Sequence, residues 1–403
     1  LLKEEYLQRI KFIVQFGRGL HSVGSPAHSL EAALMGLCER LELKGSFVSI
    51  PTAIFCSFRF LDEDVTRIVR IEPSGINLGR LTRLDQVAQD VINHRIELDE
   101  GAERLEKILS DEDDIAAWAK VLCFSLTSAG MMTLFGGTWG DFLASLVVGF
   151  LIGVLSLSKH FGVVAQLYEA IMALIATVLA SLFAKFSGDI NVSVVILASL
   201  IMFIPGLNIT ISIAEIATQN LTSGTSRLMG GFMVLLKLAF GVFAGSKLVA
   251  MVDYEALSFT FELIPHWVKF ISVPITAAMS TVVFKAPWRE MKWITLAGVF
   301  GYLVSRLATQ EFGAEMGLFM GGLAVGAGAN LFARTYLRPS SIFQFPGLIL
   351  LVPGSTGYRG LSYLYARDVV VGFDTAFTML ALAFSLVIGV FVGNVLVKPR
   401  SNF

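Results

Sequence analysis

The pattern of apolar and polar positions changes once along this chain. Up to about residue 114 the apolar residues come in short periodic runs, and beyond it they fill long stretches separated by brief polar loops. Leu2 to Leu20 places Leu7, Ile10, Ile13, Val14 and Phe16 at helical spacing, and the run stops at His21-Ser22-Val23-Gly24. Ser25-Pro26 restarts a helix, with serine able to cap it and proline suited to its first position; Leu30, Leu34, Leu37 and Leu41 continue on one face. SFVSIP, AIFCSFRF and VTRIVRIE are β-branched and aromatic runs bounded by Pro51-Thr52 and by the acidic turn Asp62-Glu63-Asp64, which predicts a three-stranded antiparallel sheet. Leu81 to His94 and Asp99 to Leu109 return to the helical period. Residues 1–114 therefore read as an α+β domain.

From 115 onward, stretches near the roughly 20 residues that cross a bilayer fall at 115–135, 139–158, 166–186, 190–206 and 227–250, and again at 261–284, 291–308, 314–334, 341–354 and 371–397. The second set repeats the first. Adding 148 to Pro205-Gly206 gives Pro353-Gly354, and adding 148 to Gly241 gives Gly389, where GVFVGNVLV matches GVFAGSKLV at six of nine places. Earlier in each copy Phe135, Trp139, Asp141 and Gly149 recur as Phe284, Trp288, Glu290 and Gly298, at an offset of 149. An odd number of spans per copy returns the chain to the opposite face, so the second copy is expected upside down relative to the first. The expected architecture is a polytopic all-α membrane protein of ten spans in two inverted five-helix repeats, 115–255 and 256–403, behind the soluble domain 1–114.

Composition agrees with a membrane protein. Of 403 residues 55% are hydrophobic and 16% charged, well below the roughly 25% charged of soluble domains. Residues 1–117 hold 14 Lys and Arg against 20 Asp and Glu, and the remainder 17 against 12, so a polar domain precedes a bilayer domain and no basic patch argues for nucleic acid. Lys159, Arg227, Lys285, Arg289, Lys292, Arg334, Arg338, Lys398 and Arg400 fall on one side of the predicted spans, and Lys185, Lys247, Arg306, Arg359 and Arg367 on the other. That bias places both termini in the cytoplasm, of a plasma (inner) membrane or of an organelle if the source is eukaryotic. The chain opens Leu-Leu-Lys rather than with Met, which points to sequence preceding it; what is present shows no signal peptide. Cys38, Cys56 and Cys123 are spaced like neither a metal site nor a redox pair and read as buried apolar residues. Neither a metal nor a cofactor is expected.

The unusual spans are the fourth and ninth, short and ending in Pro-Gly. Proline removes a donor and glycine permits a sharp turn, so helical hydrogen bonding is interrupted there, and irregular backbone at membrane depth persists where it is buried in protein or lines a cavity. Pro205, Gly206, Pro353 and Gly354 are thus the expected helix breaks of a binding site, with Asn208, Thr210, Ser212 and Glu215 after the first and Ser355, Thr356, Tyr358 and Arg359 after the second. Hydroxyls and amides near helix ends suit a zwitterion, whose carboxylate a helix N-terminus attracts and whose ammonium a carboxylate such as Glu215 attracts. The alternative is that each Pro-Gly ends a short helix at the interface. Lys237, near the middle of the fifth span, has Ser385 as its offset partner; transport, an internal ion pair or a neutral amine would each explain it. Arg227 reads equally as an anchor or a site residue, while Asp374 and Glu169 read first as interface residues.

His21, Ser22, His28, Ser29 and Glu31 could suit a hydrolase, but no Gly-x-Ser-x-Gly elbow is present and residues this close seldom assemble a triad, which argues for helix capping and a polar contact with the membrane domain. Asn77 and Arg80 read as turn and surface residues. No Gly-x-x-x-x-Gly-Lys-[Ser/Thr] loop is present to cradle ATP phosphates.

PAHSLEAALMGLCERLEL, TRIVRIEPSGINLGRL and SIAEIATQNLTSGTSRLMGG together resemble the threonine/serine exporter family of bacteria, which has fungal membrane relatives. The resemblance covers nearly the whole chain, and Glu31, Glu215, Gly224 and Arg227 match acidic, glycine and basic positions typical of the family. It implies proton-driven efflux of threonine, serine or similar small solutes across the lipid bilayer. The inverted halves and their breaks suggest alternating access, and a homo-oligomer is a separate expectation. Glu215, Arg227, Lys237 and Asp374 are the candidates for proton coupling or charge. The competing expectations are a dicarboxylate (succinate) exporter and a membrane-anchored hydrolase.

Overall fold

The computed structural model describes residues 3–60, 63–72, 74–111, 115–158, 165–188, 190–251, 260–365 and 367–399. The domain boundaries expected at 114 and 255 both lie outside the described residues.

The N-terminal unit forms as its periodicity predicts. Helices α1 (Lys3–Ser22) and α2 (Ala27–Arg40) present Ile10, Ile13, Phe16, Leu30, Leu34 and Leu37 to one core, each at most 3% exposed. Strands β1 (Lys44–Ile50), β2 (Ala53–Phe60) and β3 (Glu63–Arg70) pair antiparallel in that order, with Phe47 opposite Cys56. β3 begins at Glu63, so Glu63 and Asp64 of the expected acidic turn are already strand, while Asp62 lies outside the described residues. Helices α3 (Leu78–Ile92) and α4 (Leu98–Ser110) complete the unit, packing Leu84, Val91 and Leu105 on the same core. Each such side chain contributes about 1.5–3 kcal/mol of burial. Burial also pushes the Cys38 thiol up to about 12 and that of Cys56 up to about 11.

The remainder is helical. Among the described residues six helices are long and apolar enough to cross a membrane: α5 (Ala117–Phe135), α6 (Trp139–Ser156), α7 (Tyr168–Ser187), α10 (Leu221–Val249), α13 (Ala314–Tyr336) and α16 (Val369–Leu396). The fourth and ninth of the ten expected spans, already short in the sequence, are each followed by a second short helix. The stretch expected as the fourth, 190–206, holds α8 (Val192–Ser199), with α9 (Gly206–Ala217) beyond its Pro-Gly, and the ninth, 341–354, holds α14 (Ser341–Ile349), with α15 (Gly354–Tyr365) beyond its own. Pro-Gly therefore separates two helices instead of ending one. After α8 the chain passes through tight turns, with Phe203 N donating to Leu200 O, and regular bonding resumes when Ile209 N donates to Pro205 O. Between these elements lie α11 (Lys269–Val283), with Pro274 inside it, and α12 (Met291–Phe312).

The second set of helices repeats the packing of the first. The pairs α5–α6, α6–α8, α7–α10 and α9–α10 recur as α11–α12, α12–α14, α13–α16 and α15–α16. The same glycines make the close approaches. A Cβ on Gly241 would collide with Ala170 O, and one on Gly389 with Phe319 O; Gly149 faces Ser128 as Gly298 faces Ala277. Small residues let these backbones come together without a hydrophobic driving force. Asp141 and Glu290, both at most 1% exposed, keep the repeat's logic as well. Asp141 caps α6 and accepts from Asn191 N just before α8 (2.6 Å), while Glu290 pairs with Arg338 just before α14.

Between the halves, α5 packs on α11, α9 on α16 and α15 on α10. The N-terminal unit touches both halves: Leu78 N and Gly79 N, in the first turn of α3, donate to Phe284 O and Lys285 O at the end of α11. Leu78, Phe284, Ile294 and Ile342 share a buried seam there. Asn77, expected in a surface turn, is 6% exposed and caps α3 by accepting from Arg80 N.

Candidate functional site

The two Pro-Gly breaks meet. A Cβ built on Gly206 would lie 3.0 Å from Gly354 Cα, and one on Gly354 would lie 2.9 Å from Gly206 Cα, so the two backbones cross with no room for a side chain between them. Pro205, Gly206, Pro353 and Gly354 are all buried. Beside the crossing lies a cavity of about 740 Å³. Its wall is built from matching positions of the two repeats. Thr127, Met131, Leu134 and Phe135 of α5 face it, as do Thr276, Ser280, Val283 and Phe284, each 149 further along, and so do residues 201–204 and 349–352 of the two breaks. Half-helices meeting at such a crossing put irregular backbone against a cavity, the arrangement in which its unpaired polar groups can be satisfied.

Of the residues the sequence nominated, Asn208 and Ser355 line this cavity. Thr356 is half-buried on α15 but is not among the lining residues, and Arg359 is exposed, its guanidinium 5.5 Å from the centre of the Phe135 ring. Thr210 and Ser212 turn their hydroxyls back on α9, to Gly206 O at 3.2 Å and Ile209 O at 2.6 Å. Thr210 faces a smaller cavity of about 160 Å³ between the N-terminal unit and the membrane helices. Asp374 is exposed on α16. Lys237 forms an ion pair, donating to Glu169 Oε2 at 3.3 Å.

Glu215 lies elsewhere. It is fully buried at the end of α9, where both of its oxygens accept from Arg227 (Nε–Oε2 3.0 Å, Nη2–Oε1 3.1 Å) and Oε1 also accepts from Ala27 N (2.9 Å). The expected Ser25 cap on α2 is absent: Pro26 holds the N-cap position without a side-chain bond, and a carboxylate 188 residues away takes the first-turn N–H. An anion suits that helix end. Nearby, Ser223 Oγ donates to Ser49 O at 2.8 Å, and Glu31 accepts from Ser49 N at 2.7 Å. Burial lowers the pKa of His28 from 6.5, against the pull of Glu215, and burial raises that of Glu31, with Glu215 adding to the rise. Glu215 and Arg227 thus tie the N-terminal unit to the α9–α10 hairpin.

The hydrolase constellation is not brought together. Ser22 donates to Gly19 O in its own helix, His21 Nε2 lies 2.9 Å from Ile50 O, and Ser29 is exposed. Among the described residues there is no cluster of His, Cys, Asp and Glu able to hold a metal ion.

Sequence reasoning read Glu169 as an interface residue and Arg306 as a cation flanking a span, and missed Tyr302, Ser305 and Thr309; all five line the large cavity with Thr127, Thr276 and Ser280. The repeat offset links Thr127 to Thr276 and could have found that pair. The contribution of α12 has no such signal, because among the described residues the matching positions of α6 are not on the cavity wall.

Known proteins divide the chain where the packing does. Residues 11–249 match the profile of a threonine/serine exporter family, and residues 269–396 match a second profile described as "Threonine/Serine exporter, ThrE". Among curated proteins, the chain is similar to the pheromone-regulated membrane protein 10 of Zygosaccharomyces rouxii, at 23% identity over 98% of this chain and 43% of that protein. It is similar to the protein of the same name from Eremothecium gossypii, at 24% identity over 98% of this chain and 57% of that protein, and from Candida albicans, at 26% over 87% and 33%. The chain spans about half or less of the length of these relatives. No solved structure matches it. With both halves matched and six apolar helices long enough to span a bilayer, the chain is an integral membrane protein and belongs to the threonine/serine exporter family.

Proposed function

We propose that this chain exports small hydrophilic amino acids, threonine and serine among them, through the cavity beside the crossed breaks. The observation that carries the reading is the contact of Gly206 with Gly354 on a cavity walled by both repeats. Glu169 on one part of that wall and Arg306 on another offer opposite charges to a zwitterion, and Asn208, Ser355, Thr127, Thr276 and Ser280 offer bonds to a side-chain hydroxyl. The two helix pairs count as one crossing each, giving ten crossings in two halves of opposite orientation. Supporting the inversion, the end of α5 meets the start of α11, with Trp139 N donating to Glu262 O and Ile264 N to Gly137 O, while the end of α11 meets the N-terminal unit. The matching helices α5 and α11 thus run in opposite directions. The N-terminal unit and both termini lie on the cytoplasmic side, and alternating access consists of one half rocking on the other about the crossing. Protons drive export, since a carboxylate on the cavity wall gives a proton and a solute a common site.

Solute counterflow with the reconstituted full chain tests this. Labelled threonine should accumulate against a trapped pool of threonine or serine and not of succinate, and an imposed pH gradient should drive net flux. Exchange of succinate alone, or none at all, would refute the reading.

A further inference from the structure

Among the described residues, Glu169 is the acidic residue of the large cavity's lining, against Lys285 and Arg306 as basic ones. Its Oε2 accepts from Lys237 at 3.3 Å, and among the described residues its Oε1 has no hydrogen bond. The two side chains are 23% and 27% exposed, so the pair is partly desolvated while joined by a single bond, a poor bargain for stability alone. The repeat supplies the control. Glu169 corresponds to Leu318 at the offset of 149, and Lys237 to Ser385 at 148. Leu318 lines the same cavity, Ser385 donates within its own helix to Ala381 O, and α13 packs on α16 as α7 packs on α10. The fold builds this helix pair without the charges, so packing does not call for them.

We infer that Glu169 is the site for the ammonium group of the transported solute, and that Lys237 occupies it between solutes. The inference rests on the exporter reading above. Lysine is a flexible point charge that a solute ammonium can replace like for like. Because the charge stands in one half only, the cavity is one-sided and selects solutes that carry a free ammonium. N-acetylthreonine, which lacks it, is excluded.

The test is threonine counterflow in vesicles holding the full chain, with the half-saturating concentration as readout. Glu169→Gln and Glu169→Leu, the latter installing what the other half already carries, should each raise it by about tenfold or more, the value of a charge-assisted bond. Lys237→Met should lower it, and the double variant Glu169→Gln/Lys237→Met should behave like Glu169→Gln. N-acetylthreonine should not compete with threonine in the unmodified chain. If both Glu169 variants keep the original half-saturation, the ammonium assignment is overturned while the exporter reading stands. If Glu169→Gln and Lys237→Met are equally impaired and the double variant recovers, the pair is structural and the assignment also fails. An unmodified chain that exchanges no threonine overturns both readings.

Discussion

Replacing Glu215 should release the N-terminal unit from the membrane helices. Glu215 is fully buried and Arg227 side-chain exposure is 25%, so Glu215→Ala leaves a cation that can partly reach water. The cost of a broken buried pair, about 3–5 kcal/mol, therefore applies at its lower end. The orphaned Ala27 N–H adds about 1 kcal/mol, giving about 4 kcal/mol in total. That corresponds to about a thousandfold larger population of the opened contact. Hydrogen exchange of the full chain in detergent reads it directly, in peptides covering the start of α2 and the α9–α10 turn. Glu215→Gln keeps an acceptor for Ala27 and should cost less, about 1–2 kcal/mol. Adding Arg227→Met removes the unpaired cation, so the double variant should be no worse than Glu215→Gln. Exchange at the original rate in Glu215→Ala, or a double variant destabilised by the sum of the single ones, would refute the reasoning.

Gly354→Ala places a Cβ 2.8 Å from Ile204 Cγ2 and 2.9 Å from Gly206 Cα; it should stop threonine counterflow while the protein still purifies as the folded chain, and counterflow at the original rate would mean the crossing does not move. His28, whose pKa burial lowers, favours the neutral form when docked, with Glu215 and Arg227 as the charged groups facing it. The released unit takes up a proton first as pH falls through 6.5, so docking is complete above that value and weakens below it. Protection of the α2 amides, corrected for their intrinsic exchange rate, should accordingly fall as pH drops below about 6.5 and lose that dependence in His28→Asn. Glu31, shifted upward, acts in the opposite sense, favouring the folded unit at low pH and losing that contribution as pH rises through its raised value. Cys38 and Cys56, with thiols held near 12 and 11 by burial, should resist alkylation at pH 8 until urea opens the unit, as mass spectrometry can record.

The sequence by itself determined what short-range periodicity and composition control. The order of the N-terminal elements, the apolar stretches and the duplication were legible because a helix face repeats within a few residues. Close helix approaches also demand the same glycines, Gly241 and Gly389, in each copy. Pro205-Gly206 and Pro353-Gly354 were recognisable as breaks because proline cannot donate the bond a continuous helix needs. Only the tertiary structure decided which residues the breaks bring together. Glu215 follows the first break by a few residues, yet α9 resumes at Gly206 and carries that side chain away to cap α2. Glu169, 68 residues from Lys237, enters the cavity wall through the packing of α7 on α10, and Arg306 does so through α12. Periodicity tells a side chain which face of its own helix it occupies, but the charge it meets is set by how whole helices cross, and that is settled by packing summed over the chain.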